Sequence, residues 1–194
     1  MKLLHLDSSI MGEGSASRAI SAAVVARLLE TDPTLEVTYR DLAAEPIAHM
    51  TLDAFLALES GEDVQQFLDA DIVVIGAGFY NFSIPSQLKA WVDRIAVRGK
   101  TFAYGENGPV GLVTGKRVIV ALARGNVYGE GSPYSAYEHA ETLLRSIFSF
   151  VGVDVEVIVA EGLGRGEEAR RSAIESALVQ ARQMSLSSDP VVAL

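Results

Sequence analysis

Ile72-Val73-Val74-Ile75-Gly76, followed at once by Ala77-Gly78-Phe79-Tyr80-Asn81-Phe82-Ser83-Ile84-Pro85, decides how the chain is read. The run before Gly76 is short, β-branched and apolar at every position. Alternation would mark a sheet with one wet face. A continuous run marks a strand covered on both faces, as in a parallel sheet flanked by helices. An aromatic-rich loop begins where that strand ends.

Four more runs repeat the pattern, at residues 2–6, 35–40, 117–122 and 154–159. Helical spacing fills the gaps between them. Ile20, Val24 and Leu28 form one stripe, and Leu88, Trp91, Val92 and Ile95 a second. Tyr137, Ala140, Leu144, Ile147 and Val151 form a third, and Ile174, Ala177, Leu178 and Ala181 a fourth. Residues 52–68 read as one or two shorter helices, broken at Ser60-Gly61. This alternation predicts an α/β fold, a doubly wound five-stranded parallel sheet in a single domain over residues 1–194. Residues 100–115 interrupt it as an irregular excursion or hairpin, and residues 185–194 as a polar tail.

Composition narrows the chemistry. The 194 residues are 49% apolar and 21% charged, which suits a compact core. A net charge of −9 argues against nucleic acid and anionic membrane as partners. Cysteine is absent, which removes disulfides, thiolate nucleophiles, iron–sulfur clusters and cysteine-held zinc. Any redox role then falls to a bound organic cofactor. No signal peptide is legible and no run nears the ~20 apolar residues of a membrane span, so a cytoplasmic location is expected.

In an open parallel sheet, ligands sit beyond the carboxyl ends of the strands, where strand order reverses. The loops after the first, third and fourth strands therefore carry the site. After the first come Ser9, Ser15, Ala16, Ser17 and Arg18, running into a helix. Hydroxyls beside free first-turn amides suit a phosphate, although Ser15 or Ser17 would also serve as a plain helix cap. After the third come Phe79, Tyr80, Asn81 and Phe82, which offer apolar walls and an amide for a flat heteroaromatic ring. After the fourth come Ala123, Arg124, Gly125 and Asn126, where Gly125 permits close backbone approach and Arg124 reads equally well as a surface ion pair.

Other motifs fail. Gly12-Glu13-Gly14-Ser15-Ala16-Ser17 has serine where a dinucleotide fingerprint needs its third glycine, and Gly99-Lys100-Thr101 has Arg94 where a P-loop needs its first. His5 reads as a core histidine, and His49 and His139 lack a partner at metal-ligand spacing. No nucleophile elbow is present, which suits hydride chemistry better than acyl transfer.

Residues 79–89, with Thr101-Phe102-Ala103-Tyr104-Gly105-Glu106-Asn107-Gly108-Pro109 and Gly111-Leu112-Val113-Thr114-Gly115-Lys116, resemble the FMN-dependent NADH azoreductases, also described as NADH:quinone oxidoreductases. The resemblance implies a flavodoxin-like homodimer with one FMN per subunit. It also implies hydride passing from NADH or NADPH through flavin to quinones and azo compounds in two half-reactions, a ping-pong scheme. On the same ground Ser9 and Ser15-Ala16-Ser17 correspond to the phosphate loop, Phe79-Tyr80-Asn81-Phe82 to the isoalloxazine loop, and Ala123-Arg124-Gly125-Asn126 to a third FMN segment. Ala16, Ala123 and Asn126 depart from the residues usual there. Tyr104 and Phe150 correspond to the substrate pocket, Phe150 reaching across from a second subunit. The rival reading is a flavodoxin-type electron carrier without its own NADH oxidation. A phosphoacceptor receiver domain fits less well, because Gly76-Ala77-Gly78 stands where it needs an aspartate.

Overall fold

The computed structural model describes residues 1–185; the tail expected at 185–194 lies outside them except for Ser185. The chain runs β1 (Lys2–Asp7), α1 (Ala16–Thr31), β2 (Glu36–Asp41), α2 (Leu52–Leu56), α3 (Glu62–Asp69), β3 (Ile72–Gly78) and α4 (Ser86–Ile95). It continues with β4 (Phe102–Gly105), β5 (Gly108–Gly111), β6 (Arg117–Ala123), α5 (Ala140–Val151), β7 (Val155–Ala160) and α6 (Glu167–Gln183). Five parallel strands lie in the order β2-β1-β3-β6-β7, with Leu3 opposite Ile72 and Ile72 opposite Arg117. Strand order reverses between β1 and β3. The excursion at 100–115 is a hairpin, β4 antiparallel to β5.

Period-two side-chain alternation divides the sheet between two cores. Leu4, Leu6, Val73, Ile75, Val118 and Val120 pack with Phe67, Leu88, Trp91, Leu144 and Phe148, beneath α3, α4 and α5. Leu3, Ile72, Val74, Ile119 and Ala121 pack on the opposite face against Ile20, Val24 and Leu28 of α1 and Ala177 and Ala181 of α6. β3 is buried along its whole length, as its sequence requires.

Two expectations need correction. Residues 35–40 were read as apolar on both faces, but β2 is an edge strand with Val37 and Tyr39 exposed. An edge strand has a neighbour on one side, so less of it is covered. In α5 the buried stripe is Ala140, Leu144, Phe148 and Val151. Tyr137 stands before the helix in an exposed 3₁₀ turn, and Ile147 is half-buried.

Thr101 shows what the Gly-Lys-Thr triplet does here. Its hydroxyl is buried, donates to the Ile95 carbonyl at 2.7 Å and accepts from the Val97 amide at 2.8 Å, closing the turn after α4. The hairpin then lies on the end of α5, where a Cβ on Gly111 would sit 2.2 Å from the Gly152 nitrogen. Among the described residues no helix is long and apolar enough to cross a membrane.

Candidate flavin site

The loops after β1, β3, β6 and β7 meet at the carboxyl edge of the sheet, around an open cavity of about 250 Å3. Ser9, Ser15, Ala16 and Ser17 line one end; Phe79, Tyr80, Ala123 and Gly125 line the rest. Ser15 caps α1, its hydroxyl accepting from the Arg18 amide at 3.3 Å and lying 3.1 Å from the Ser17 hydroxyl. The cap therefore coexists with the cradle, because first-turn amides have no intrahelical acceptor and remain available to an anion. Ala16 contributes that amide despite lacking a polar side chain.

Beneath this loop lies a buried polar network. The Ser21 hydroxyl donates to Asp7 Oδ1 at 2.9 Å and lies 3.0 Å from His5 Nε2, while the Tyr39 hydroxyl donates to Asp7 Oδ2 at 3.2 Å. His5 is thus a satisfied core histidine. A Cβ on Gly76 would stand 2.1 Å from Asp7 Oδ1, so glycine at the end of β3 leaves room for the network. Burial pushes the Tyr39 phenol up, and the Asp7 and Asp41 carboxylates add to the shift.

Arg18 does not face the cavity. Its guanidinium grips Asp41 through two bonds of 2.7 Å and donates to the Ser9 carbonyl at 2.9 and 3.2 Å. The Asp41 hydrogen bond holds the Arg18 pKa above its usual value, and the same bond holds the Asp41 carboxyl below the usual carboxylate range. Arg18 thus braces the loop between β1 and α1 from behind.

The aromatic loop is a two-residue turn. Tyr80 and Ser83 exchange both backbone hydrogen bonds, at 2.9 and 3.1 Å, which leaves Asn81 and Phe82 at the tip with φ of +47° and +73°. Two adjacent non-glycine residues with positive φ store strain, and such strain collects at functional sites. Asn81 opens onto a second groove of about 530 Å3, which meets the first cavity at Tyr80. Phe82 is exposed and its ring lies 5.2 Å from Tyr137, outside both cavity linings. Phe79 leans on Tyr128 at 4.5 Å, and its amide donates to the Ala123 carbonyl at 3.0 Å.

The third segment divides. Ala123 and Gly125 line the cavity, whereas Arg124 and Asn126 do not. Arg124 is buried and not at the surface. It lies 2.7 Å from Glu141, 3.2 Å from Glu138 and 3.6 Å from Glu161, and among the described residues its Nε has no hydrogen-bond partner. Burial works against charge on Glu138, but the amides of Glu141, Thr142 and Ala140 together with Arg124 outweigh it, and its pKa falls. Asn126 accepts from Arg165 Nε at 2.9 Å.

Tyr104 and Phe150 come together elsewhere. Both rings pack on Phe102, at 5.6 and 4.6 Å, at the hairpin, and neither lines the cavity or the groove described above.

Sequence reasoning missed the fourth wall, Leu163, Gly164 and Arg170. Gly164 donates to the Gly125 carbonyl at 2.7 Å, and a Cβ there would meet that oxygen at 3.1 Å. The signal available was the glycine-dense turn Gly162-Leu163-Gly164-Arg165-Gly166 after β7, at the same sheet edge. Gly14 and Gly78 also line the cavity, and a Cβ on Gly78 would strike the Tyr80 ring at 2.9 Å.

The donor set fits a phosphorylated flavin: hydroxyls and free amides at one end, and aromatic and small-residue walls along the remainder. The comparisons agree. A family profile described as the flavodoxin-like fold matches residues 1–184. A Gluconacetobacter diazotrophicus protein named FMN-dependent NADH:quinone oxidoreductase is 53% identical over 192 residues, covering 91% of this chain and 96% of its own. A Xanthomonas campestris protein of the same name is 53% identical over 199 residues, covering 93% and 97%. Among solved structures, an azoreductase from Bacillus anthracis superposes with a TM-score of 0.83 at 28% identity, covering 95% of this chain and all of that one. With its flavodoxin-like fold, the chain belongs to the family of FMN-dependent NADH:quinone oxidoreductases.

Proposed function

We propose that the chain is an FMN enzyme that takes hydride from NADH and passes it to quinones, and to azo compounds at the same opening. The observation that carries this reading is the convergence of four loops on a cradle with a phosphate-binding end and an aromatic slot. Bound FMN supplies the chemistry, accepting and returning two electrons with a proton. The chain supplies placement. Ser9, Ser15 and Ser17 with the Ala16 amide hold the phosphate, and Phe79 and Tyr80 wall the ring. Ala123 and Gly125 offer backbone and close approach, and Asn81 presents its amide to the ring's polar edge. Arg124 and Asn126 act from behind, fixing the loops that touch the cofactor, and Phe82 holds the tip of the aromatic turn against Tyr137.

NADH and acceptor use one opening in succession. Initial rates against NADH at several quinone concentrations should give parallel double-reciprocal lines. Intersecting lines would reject the shared opening. NADH alone should bleach the bound flavin; a protein that needs a separate reductase would be a carrier instead.

The working unit is a homodimer. The second groove is flanked by Ile10, which is 63% exposed, and Met11 beside it is 62% exposed. Leu52, Phe55 and Leu56 add further bare apolar surface, more than a monomer normally leaves open. A second copy would cover it and bring its own Phe150 towards the opening. Sedimentation showing monomer alone at micromolar protein would reject this.

A further inference from the structure

We propose that Arg170, near the start of α6, is a cationic contact for the cofactor's phosphomonoester; the proposal rests on the flavin reading above. Four arginines stand near the cradle, and three are already committed. Arg165, next to Gly164, donates to the Asn126 amide oxygen at 2.9 Å. Arg18 is taken up by Asp41, Tyr39 and the Ser9 carbonyl. Arg124 is taken up by Glu138, Glu141 and Glu161. Arg170 differs. Its guanidinium makes a single hydrogen bond, from Nη2 to the Gly14 carbonyl at 2.7 Å, and among the described residues no carboxylate pairs with it.

That one bond places it. Gly14 immediately precedes the α1 cap, so Arg170 is tied directly to the loop that leads into α1. The residue is half-buried and lines the same cavity as Ser9, Ser15, Ala16 and Ser17. A guanidinium carries five N–H donors, so one bond to a carbonyl leaves several for a phosphate oxygen. The rest of the cradle is neutral: hydroxyls and amides recognise the shape of a phosphate but leave its charge to the helix dipole. In a chain of net charge −9, a dianion gains from a local cation.

The test is affinity, read by quenching of flavin fluorescence, for FMN and for riboflavin, which lacks the phosphate. Wild type should prefer FMN. Arg170→Gln, which keeps a donor for the Gly14 carbonyl but removes the charge, should weaken FMN roughly tenfold and leave riboflavin unchanged. Arg170→Lys should recover part of the loss, as a point charge without the fork. Arg171→Gln removes the same charge from the exposed neighbouring position and should change neither affinity. Equal weakening for both flavins in Arg170→Gln would reduce Arg170 to a prop for Gly14 and overturn the proposal, as would an equal effect of Arg171→Gln. An unchanged FMN affinity in Arg170→Gln and Arg170→Lys would overturn it while leaving the flavin reading intact. A wild-type protein without preference for FMN would overturn both.

Discussion

The hydroxyls of Ser9 and Tyr80 lie 3.0 Å apart, joining loops whose residues are 71 positions distant in the chain. They bridge the point where strand order reverses, with Ser9 at the proposed phosphate end of the cavity and the Tyr80 ring along its wall. Tyr80→Phe keeps the wall and cuts the bridge. Losing one partly buried neutral hydrogen bond should cost about 1 kcal/mol in urea unfolding, with FMN affinity falling by less than about tenfold. A larger loss of affinity would mean that the hydroxyl touches the cofactor itself.

Asn81 sits at φ +47°, so Asn81→Ala would confound a lost amide with backbone strain. Asn81→Gly separates the two. If the amide serves the ring's polar edge, flavin reduction should slow by up to ~100-fold in stopped-flow, while the melting temperature holds or rises. Unchanged FMN affinity and reduction rate in this variant would remove Asn81 from the site.

The Arg18–Asp41 pair sets a pH dependence of stability. Asp41 is held below the ordinary carboxylate value by the Arg18 hydrogen bond. A depressed folded-state pKa stabilises the fold above the unfolded value, near 4, and that stability is lost as pH falls through the folded value. Asp41→Asn should therefore cost about 2 kcal/mol in denaturant melts at neutral pH, and the gap to wild type should close on acidification below about pH 4. A gap that stays constant as the pH is taken well below about 4 would show that the pair contributes nothing through charge.

Gly76→Ala would place a methyl 2.1 Å from Asp7 Oδ1 and 2.9 Å from Ser21 Oγ. Both are backed by buried partners, so neither can retreat cheaply. Destabilisation of about 1–3 kcal/mol is expected, lowering the melting temperature by roughly 5 °C. A melting temperature equal to wild type would show that the network yields more readily than its hydrogen bonds imply.

How far the sequence could be read follows from what each residue's neighbours are. β3 was legible because a strand buried on both faces is apolar throughout, and its loop because aromatics beside glycines have few other uses at a strand's end. β2 was not, because Val37 and Tyr39 look alike in edge and central strands until pairing is known. Phe148 takes the buried place expected of Ile147, because the two stand four and three residues after Leu144 and only tertiary packing chooses between them. Arg18 and Arg124 carried charge but no hint of their destinations; Asp41, Glu138, Glu141 and Glu161 reach them through tertiary contacts. Arg170 was invisible for the same reason, since the partner that places it lies 156 residues away.

The cradle draws on residues from Ser9 to Arg170, so it exists only when nearly the whole chain is folded. FMN is then a ligand of the native state alone, and each increment in its free concentration above the dissociation constant is an increment in folding free energy. At a hundredfold excess over that constant the gain is about 2.7 kcal/mol. A cell short of riboflavin would therefore hold more of this chain open to proteases, and the amount of enzyme would follow the vitamin supply without any transcriptional control. Limited proteolysis across an FMN titration would register this as a lifetime that lengthens with flavin concentration, and a lifetime indifferent to flavin would rule it out.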